Sequence, residues 1–217
     1  PSTVCSISGV WAAASIAGPG HRSVATVGGN LCVDTRCVYY NQSEWWRKAN
    51  GYCLKHRGDT CHVAPTGTRC HAAYQGDLAP ALIACGASVE LAGPRGTRTV
   101  ALEDLYRDDG LAHLALEPGE LLVAVAVPAQ PRGAMSAYRK ARARGAIDFP
   151  LAGVAGRLAV DDGRLAAIDV ALVKDQPPQR TLTSNLTGLA LRLDALGWSK
   201  GAKTKASLDL EARLSAR

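Results

Sequence analysis

No uninterrupted apolar stretch of about 18 residues occurs in this sequence, so no membrane-spanning helix is expected. No basic-then-apolar segment opens the chain, so no export signal is read and a cytoplasmic location is expected. There is no block of about five or six like charges, and aromatic residues make up only 5% of the chain. The basic excess, formally +6, is dispersed rather than striped, which argues against a nucleic-acid partner. Such a balance instead suits an anionic cofactor or an acidic protein. No internal repeat and no low-complexity tract is present. What remains, 47% hydrophobic and 20% charged over 217 residues, is ordinary for one large globular domain or two small ones.

Two phosphate-binding signatures are also missing. No Gly-Lys-Ser/Thr follows the pair Gly28-Gly29, so there is no P-loop, and no Gly-x-Gly-x-x-Gly fingerprint surrounds it. Cysteine, by contrast, is plentiful: Cys5, Cys32, Cys37, Cys53, Cys61, Cys70 and Cys85. An odd number cannot all pair in disulfides. Without an export signal, clustered cysteines read as metal ligands more often than as disulfides.

Local pattern yields a coarse map. Residues 8–17 are small and apolar and predict a helix ended by Gly18-Pro19-Gly20. Residues 23–27 are rich in β-branched side chains and predict a strand running into a glycine turn. From about Cys32 to Cys70 no period of 2 or 3.6 is sustained. An irregular stretch of that length calls for an internal staple or a function. Asp77 is placed to cap a helix from Leu78 to Cys85, with Pro80 in its first turn and Gly86 as its stop. Strands are expected at 88–91 and 97–102, a short helix at 103–108, and a strand at 120–127. After Pro128 the pattern becomes antiparallel, with a strand at 134–141 and a hairpin of 151–160 with 164–173 over Asp161-Asp162-Gly163. The tail from Lys174 is helix-prone. A domain boundary is expected near Pro128–Pro131.

Cys37, Cys53, Cys61 and Cys70 all lie in the irregular stretch, separated by fifteen, seven and eight residues. Their neighbours Arg36, Lys55, Asp59, Thr60 and Arg69 are polar. That setting suits thiolate ligands better than buried apolar thiols, the role expected of Cys5 and Cys85. Thiolates favour zinc, copper(I) or iron–sulfur centres. Structural zinc sites commonly use a tight C-x2-C pair; here the closest spacing, Cys32 to Cys37, leaves four residues between. Spacing thus leans away from a zinc ribbon without excluding it. His56, His62 and His71 are further candidate ligands, more simply read as solvent-facing or hydrogen-bonded. At Thr26-Val27-Gly28-Gly29-Asn30 the glycines let backbone N–H groups approach an anion closely, although the pair by itself is a weak signal and a plain tight turn is the commoner reading.

Taken together these strings resemble a known family. Residues 13–17 and 21–31, then Gly76-Asp77-Leu78-Ala79-Pro80, and later Tyr138-Arg139-Lys140 with Asp148-Phe149-Pro150, are similar to the flavin-binding medium subunits of the xanthine dehydrogenase and carbon monoxide dehydrogenase family. Most members pass almost directly from the Gly-Gly-Asn turn to the Asp-Leu-x-Pro helix. Here some forty residues intervene, from about Cys32 to Cys70. Their Tyr39-Tyr40, Trp45 to Asn50 and Cys61 to Pro65 strings resemble the insertion of the 4-hydroxybenzoyl-CoA reductase flavoproteins.

The resemblance implies an α+β fold of the CO dehydrogenase flavoprotein type. Residues 1–127 would form the second FAD-binding subdomain with its cysteine-rich insertion. Residues 128–217 would form an antiparallel-sheet plus helix C-terminal domain, divergent after about 174. It implies FAD held by Thr26, Gly28, Gly29, Asn30 and Asp77, with Lys140 from the C-terminal domain and Asp34 as a further contact. It implies a [4Fe–4S] cluster on Cys37, Cys53, Cys61 and Cys70. The implied partners are a molybdenum-cofactor large subunit, a [2Fe–2S] small subunit and ferredoxin as electron donor. Arg36, Arg47, Lys48, Lys55, Arg57 and Arg69 would attract that acidic donor or simply form a solvated basic surface. The implied reaction, reductive dehydroxylation of 4-hydroxybenzoyl-CoA to benzoyl-CoA, would take place on the molybdenum subunit, with no substrate chemistry on this chain. Family members also carry an earlier Ala-Gly-Gly-Thr-Asp-type subdomain that does not precede Pro1, so a fragment supplying part of the FAD cleft is expected. Three other readings stay open: the flavin subunit of another molybdenum hydroxylase, a zinc-stapled binding module without redox chemistry, and an inactive fragment.

Overall fold

Apolar alternation builds the first sheet. In β1 (Ser88–Gly93) Val89 and Leu91 are buried while Glu90 between them is exposed. β1 turns through Pro94-Arg95 into β2 (Gly96–Ala101), with Gly93 opposite Gly96. Gly96 takes φ +110°, a conformation side chains resist. β3 (Leu121–Ala126) adds to the other edge of β1, giving the antiparallel order β2-β1-β3. A second antiparallel sheet has the order β4-β5-β6, from β4 (Met135–Ala141), β5 (Ala152–Asp161) and β6 (Arg164–Val173). The computed structural model describes residues 3–145, 147–161, 164–173, 182–184, 191–193, 198–200 and 208–210.

Helices join the sheets. α1 (Thr3–Ser15) packs on β4. Two short helices, α2 (Pro19–Arg22) and α3 (Val27–Leu31), lead to the cysteine-rich segment, which contains α4 (Glu44–Ala49). α5 (Leu78–Ala84) lies against β5 and β6 and buries Leu78, Ala79, Pro80, Ala81 and Ala84. Its small side chains let it approach closely. Gly86 at φ +71° ends it in a left-handed stop. Buried residues of both sheets, among them Val89, Leu91, Tyr138, Ala155 and Ala171, form one cluster with α5. The boundary segment is itself tied down: buried Gln130 donates to the Cys85 and Pro128 carbonyls, and Arg157 donates to its side-chain oxygen.

Several expectations need correction. Residues 23–27 form no strand. Thr26 takes the N-cap position and its hydroxyl accepts from Gly29 N at 3.0 Å, so the glycine motif opens the helical turn α3. The polar cap outweighs the β-branched run. The segment 32–70 is largely turns, yet Ser43 caps α4 through Trp46 N. Residues 103–108 give only a 3-10 turn, Leu102–Leu105. The described parts of the tail are short strands, Leu182–Ser184, Leu191–Leu193, Trp198–Lys200 and Leu208–Leu210. Leu-Arg-Leu and Leu-Asp-Leu alternate with the period of a strand, not a helix. Cys85 is buried as expected but disulfide-bonded; the Cys5 side chain and the Asp162-Gly163 turn lie outside what is described.

The insertion leaves the fold after Leu31 and returns at Tyr74, and its two ends are clamped. The buried Tyr74 hydroxyl lies 3.1 Å from the carbonyl oxygens of both Asn30 and Leu31. Tyr106 donates to Leu31 O at 3.0 Å and shares a 3.1 Å hydrogen bond with Tyr74. Burial pushes both phenols well above their ordinary range, so both stay neutral donors. Beyond the clamp, Arg36 and Ala73 exchange a pair of 2.7 Å backbone hydrogen bonds. Tyr74→Phe leaves the part-buried Asn30 carbonyl without this donor and Leu31 O with Tyr106 alone, and a loss of about 1–3 kcal/mol is expected in urea unfolding. Gly76→Ala is expected to cost at least as much, because its Cβ would overlap the Tyr74 hydroxyl and lie 2.8 Å from Asn30 O. Gly9→Ala, which meets nothing within 4 Å, should leave stability unchanged or raise it.

Candidate functional site

Beside the glycine turn runs an open groove of about 230 Å³, walled by Ala13, Ala14 and Ile16 of α1, by Arg22, Ala25, Thr26 and Val27, and by Leu78. Its apolar floor and single cation suit a flat ring system with an anionic tail. Arg22 is held by the Ile16 and Ala17 carbonyls at 2.7 and 2.9 Å. Sequence reading did not single out Arg22; only its place between the glycine turn and α1 reveals it. The volume lies below the usual range of roughly 300–1,000 Å³ for a complete small-molecule site.

Asn30 ties this turn to α5, its side-chain oxygen accepting from Leu78 N at 2.9 Å. Asn30 thereby satisfies an N-terminal amide of α5. Asp77, the expected cap, makes no capping bond. Its carboxylate accepts instead from Tyr138 at 2.8 Å and from Lys140 at 3.0 Å. Lys140 also donates to Ser15 O at 2.9 Å. The two charged side chains are 5% and 4% exposed. Burial pushes the Asp77 carboxyl upward, while Tyr138 and Lys140 oppose the shift. Asp77 and Lys140 thus lock α1, α5 and β4 together behind the groove. Asp34 stands on the insertion side, where its carboxylate accepts from Lys55 and from Thr35 N, each at 2.8 Å.

The second feature is the cysteine loop. Cys37, Cys53, Cys61 and Cys70, spread across the sequence, line one small cavity with Tyr39, Tyr40, Leu54, Lys55 and His62. Three of the four open turns. Cys37 O accepts from Tyr40 N and Asn41 N, Cys61 O accepts from Ala64 N, and Cys53 O accepts from His56 N and Gly58 N. Around Cys53 the backbone is strained, with Tyr52 and Arg57 at φ +61° and +60°. Gly58 packs so closely that a Cβ would lie 2.7 Å from Cys53 N. The Cys70 sulfur accepts from Ala72 N at 3.4 Å. Among the described residues no three His, Cys, Asp or Glu side chains converge to hold a single metal ion. His62 bonds to the Tyr52 carbonyl.

The loop is docked on residues 108–110. Gly110 N donates to Cys70 O at 2.8 Å, Cys70 N donates to Asp109 at 3.2 Å, and Arg69 pairs with Asp108. The Gly110 carbonyl accepts from Thr35 and from Lys55. Lys55, grouped by sequence with the surface cations, is only 6% exposed.

Removing one member of the Asp77–Lys140 pair strands the other in the interior. Lys140→Met or Asp77→Leu is expected to destabilise by about 3–5 kcal/mol, and the Lys140→Met/Asp77→Leu double variant by much less than the sum. Thermal or urea unfolding of the four proteins checks this, and additive losses would contradict the pairing.

The sequence matches the family described as the FAD binding domain in molybdopterin dehydrogenase over residues 6–130. It is 38% identical over 160 residues to the aldehyde oxidoreductase FAD-binding subunit PaoB of Escherichia coli K12, covering 69% of this chain and 50% of that one. It is 40% identical over 98 residues to the carbon monoxide dehydrogenase medium chain of Afipia carboxidovorans, covering 45% of this chain and 33% of the relative. The fold superposes on a crystal structure of the Cu,Mo-CO dehydrogenase with a TM-score of 0.52 and 27% identity, over 77% of this chain and 44% of that chain. The chain spans about half the length of the first of these relatives, PaoB. With a family match across 6–130, more than half its length, the chain belongs to the family of FAD-binding domains of molybdopterin dehydrogenases.

Proposed function

We propose that this chain is part of the flavin- and iron–sulfur-bearing subunit of an oxidoreductase of the 4-hydroxybenzoyl-CoA reductase type. The observation that carries this reading is the convergence of Cys37, Cys53, Cys61 and Cys70 on one cavity, in a loop that starts directly after the Gly-Gly-Asn turn. The two-part organisation at 1–127 and 128–217 belongs to the same reading.

The donor set fits a [4Fe–4S] cluster. Four thiolates are its usual ligands, and the Ala72 N–H on the Cys70 sulfur is the kind of bond that stabilises a bound thiolate. A single zinc ion, with Zn–S near 2.3 Å, would draw four sulfurs to within about 3.8 Å of one another. Among the described residues no three such ligands converge on a single metal position, whereas all four cysteines line the one cavity. The enclosed space is about 10 Å³, room for about one water, so loading requires the loop to spread.

FAD would lie in the groove. Thr26, Gly28, Gly29 and Asn30 would meet its pyrophosphate or the neighbouring flavin, with Asp34 as a further contact. Asp77 and Lys140 would hold the wall behind it. Arg22 would add a positive charge for the diphosphate. Bound together, the two cofactors supply one-electron entry and two-electron storage. The chain's own residues would position them; the reduction of 4-hydroxybenzoyl-CoA would occur on a molybdenum subunit, reached through a [2Fe–2S] subunit, with ferredoxin as donor. The relative named as an aldehyde oxidoreductase subunit favours a second reading, the flavin subunit of another molybdenum hydroxylase.

The full chain, expressed anaerobically and reconstituted with iron and sulfide, is expected to hold on the order of four irons and give an EPR signal on dithionite reduction. Cys53→Ala or Cys61→Ala should abolish both. Stoichiometric zinc without iron, or no metal, would contradict the proposal. FAD retention, measured by fluorescence, should fall at least tenfold when Gly29 is replaced by Val.

A further inference from the structure

We propose that Lys55 is a positioning residue for the cysteine-bound centre, acting as a fixed buried positive charge that favours its reduced, more negative state. This rests on the iron–sulfur reading above.

Lys55 lines the same cavity as the four cysteines. Its ammonium has three donors, and three acceptors take them: Asp34 at 2.8 Å, Thr35 at 2.6 Å and the Gly110 carbonyl at 2.8 Å. With its donors used, Lys55 reaches the cavity as a charge rather than as a hydrogen-bond donor. The Tyr40 ring covers it, 5.2 Å from the ammonium. The geometry is therefore fixed on all sides.

Burial decides the sign of the local field. Asp34, the counter-charge, is 62% exposed, whereas Lys55 is 6% exposed. Water screens the carboxylate strongly and the ammonium weakly. The cavity thus sees a net positive influence from the pair. Reduction of a thiolate-bound cluster adds one electron and one negative charge, with no proton leaving Lys55. A buried cation nearby favours that step, as net charge sets cluster potentials.

The same ammonium holds the Gly110 carbonyl, so a structural role must be separated from an electrostatic one. The test is a redox titration, followed by EPR, of the reconstituted full chain, its Lys55→Met, Lys55→Arg and Asp34→Asn variants, with iron content measured on each. Lys55→Met is expected to keep its iron and to lower the one-electron midpoint by about tenfold in the equilibrium, which is about 59 mV. Lys55→Arg, which keeps the charge, should stay near the parent. Asp34→Asn keeps a side-chain oxygen to accept from Lys55 and Thr35 N, removes the exposed counter-charge, and should shift the midpoint in the positive direction. Iron-loaded Lys55→Met with an unchanged midpoint would overturn the inference. Should Lys55→Met fail to fold or to take up iron, an Asp34→Asn midpoint that is unchanged or more negative overturns it equally. A parent chain that takes up no iron would instead overturn the cluster assignment beneath it.

Discussion

The Tyr74 hydroxyl is the constraint on which the rest of this structure depends. It closes the neck of a long, irregular insertion by binding the carbonyls of Asn30 and Leu31, the last residues before the chain departs. Because the insertion leaves and returns at the same place, the glycine turn before it and α5 after it become neighbours. Asn30 then bridges them through Leu78 N. Gly76 has no side chain because the space a Cβ would need is already held by Tyr74 and Asn30. One buried phenol thus sets the geometry of the groove and the root of the cysteine loop together.

No residue between 34 and 73 belongs to the buried apolar cluster, and the loop depends on polar anchoring. Gly110 serves it twice, its N–H on Cys70 and its carbonyl under Thr35 and Lys55. A Cβ at Gly110 would lie 2.6 Å from the Ala72 backbone, so this contact tolerates no side chain. The arrangement brings four cysteines to one cavity, with the charge of a buried lysine beside them. Behind the groove, the Asp77–Lys140 pair joins elements far apart in sequence.

Short-range patterns were legible from the sequence. The hairpin of 88–93 with 96–101, the helix after Asp77 and the antiparallel pair 152–161 with 164–173 all follow from alternation, turn residues and a glycine stop. The four cysteines that share a cavity were separable from Cys85 by the polarity of their neighbours. What was not legible depends on contacts distant in the chain. Thr26 reads as the end of a β-branched run until its hydroxyl is seen on Gly29 N. Asp77 reads as a helix cap until Lys140, 63 residues on, takes its carboxylate. Lys55 looks like any surface cation, because nothing local announces that Gly110 and Thr35 will bury it.

As proposed, the insertion gathers Cys37, Cys53, Cys61 and Cys70 around an iron–sulfur centre. Crystals of the anaerobically reconstituted chain, with diffraction collected on both sides of the iron absorption edge, show whether it does. An iron anomalous peak enclosed by the four cysteines is expected, with Lys55 beside it and Tyr74 still on Asn30. A zinc-edge peak at one point, or cysteines joined in disulfides with no iron between them, would contradict it.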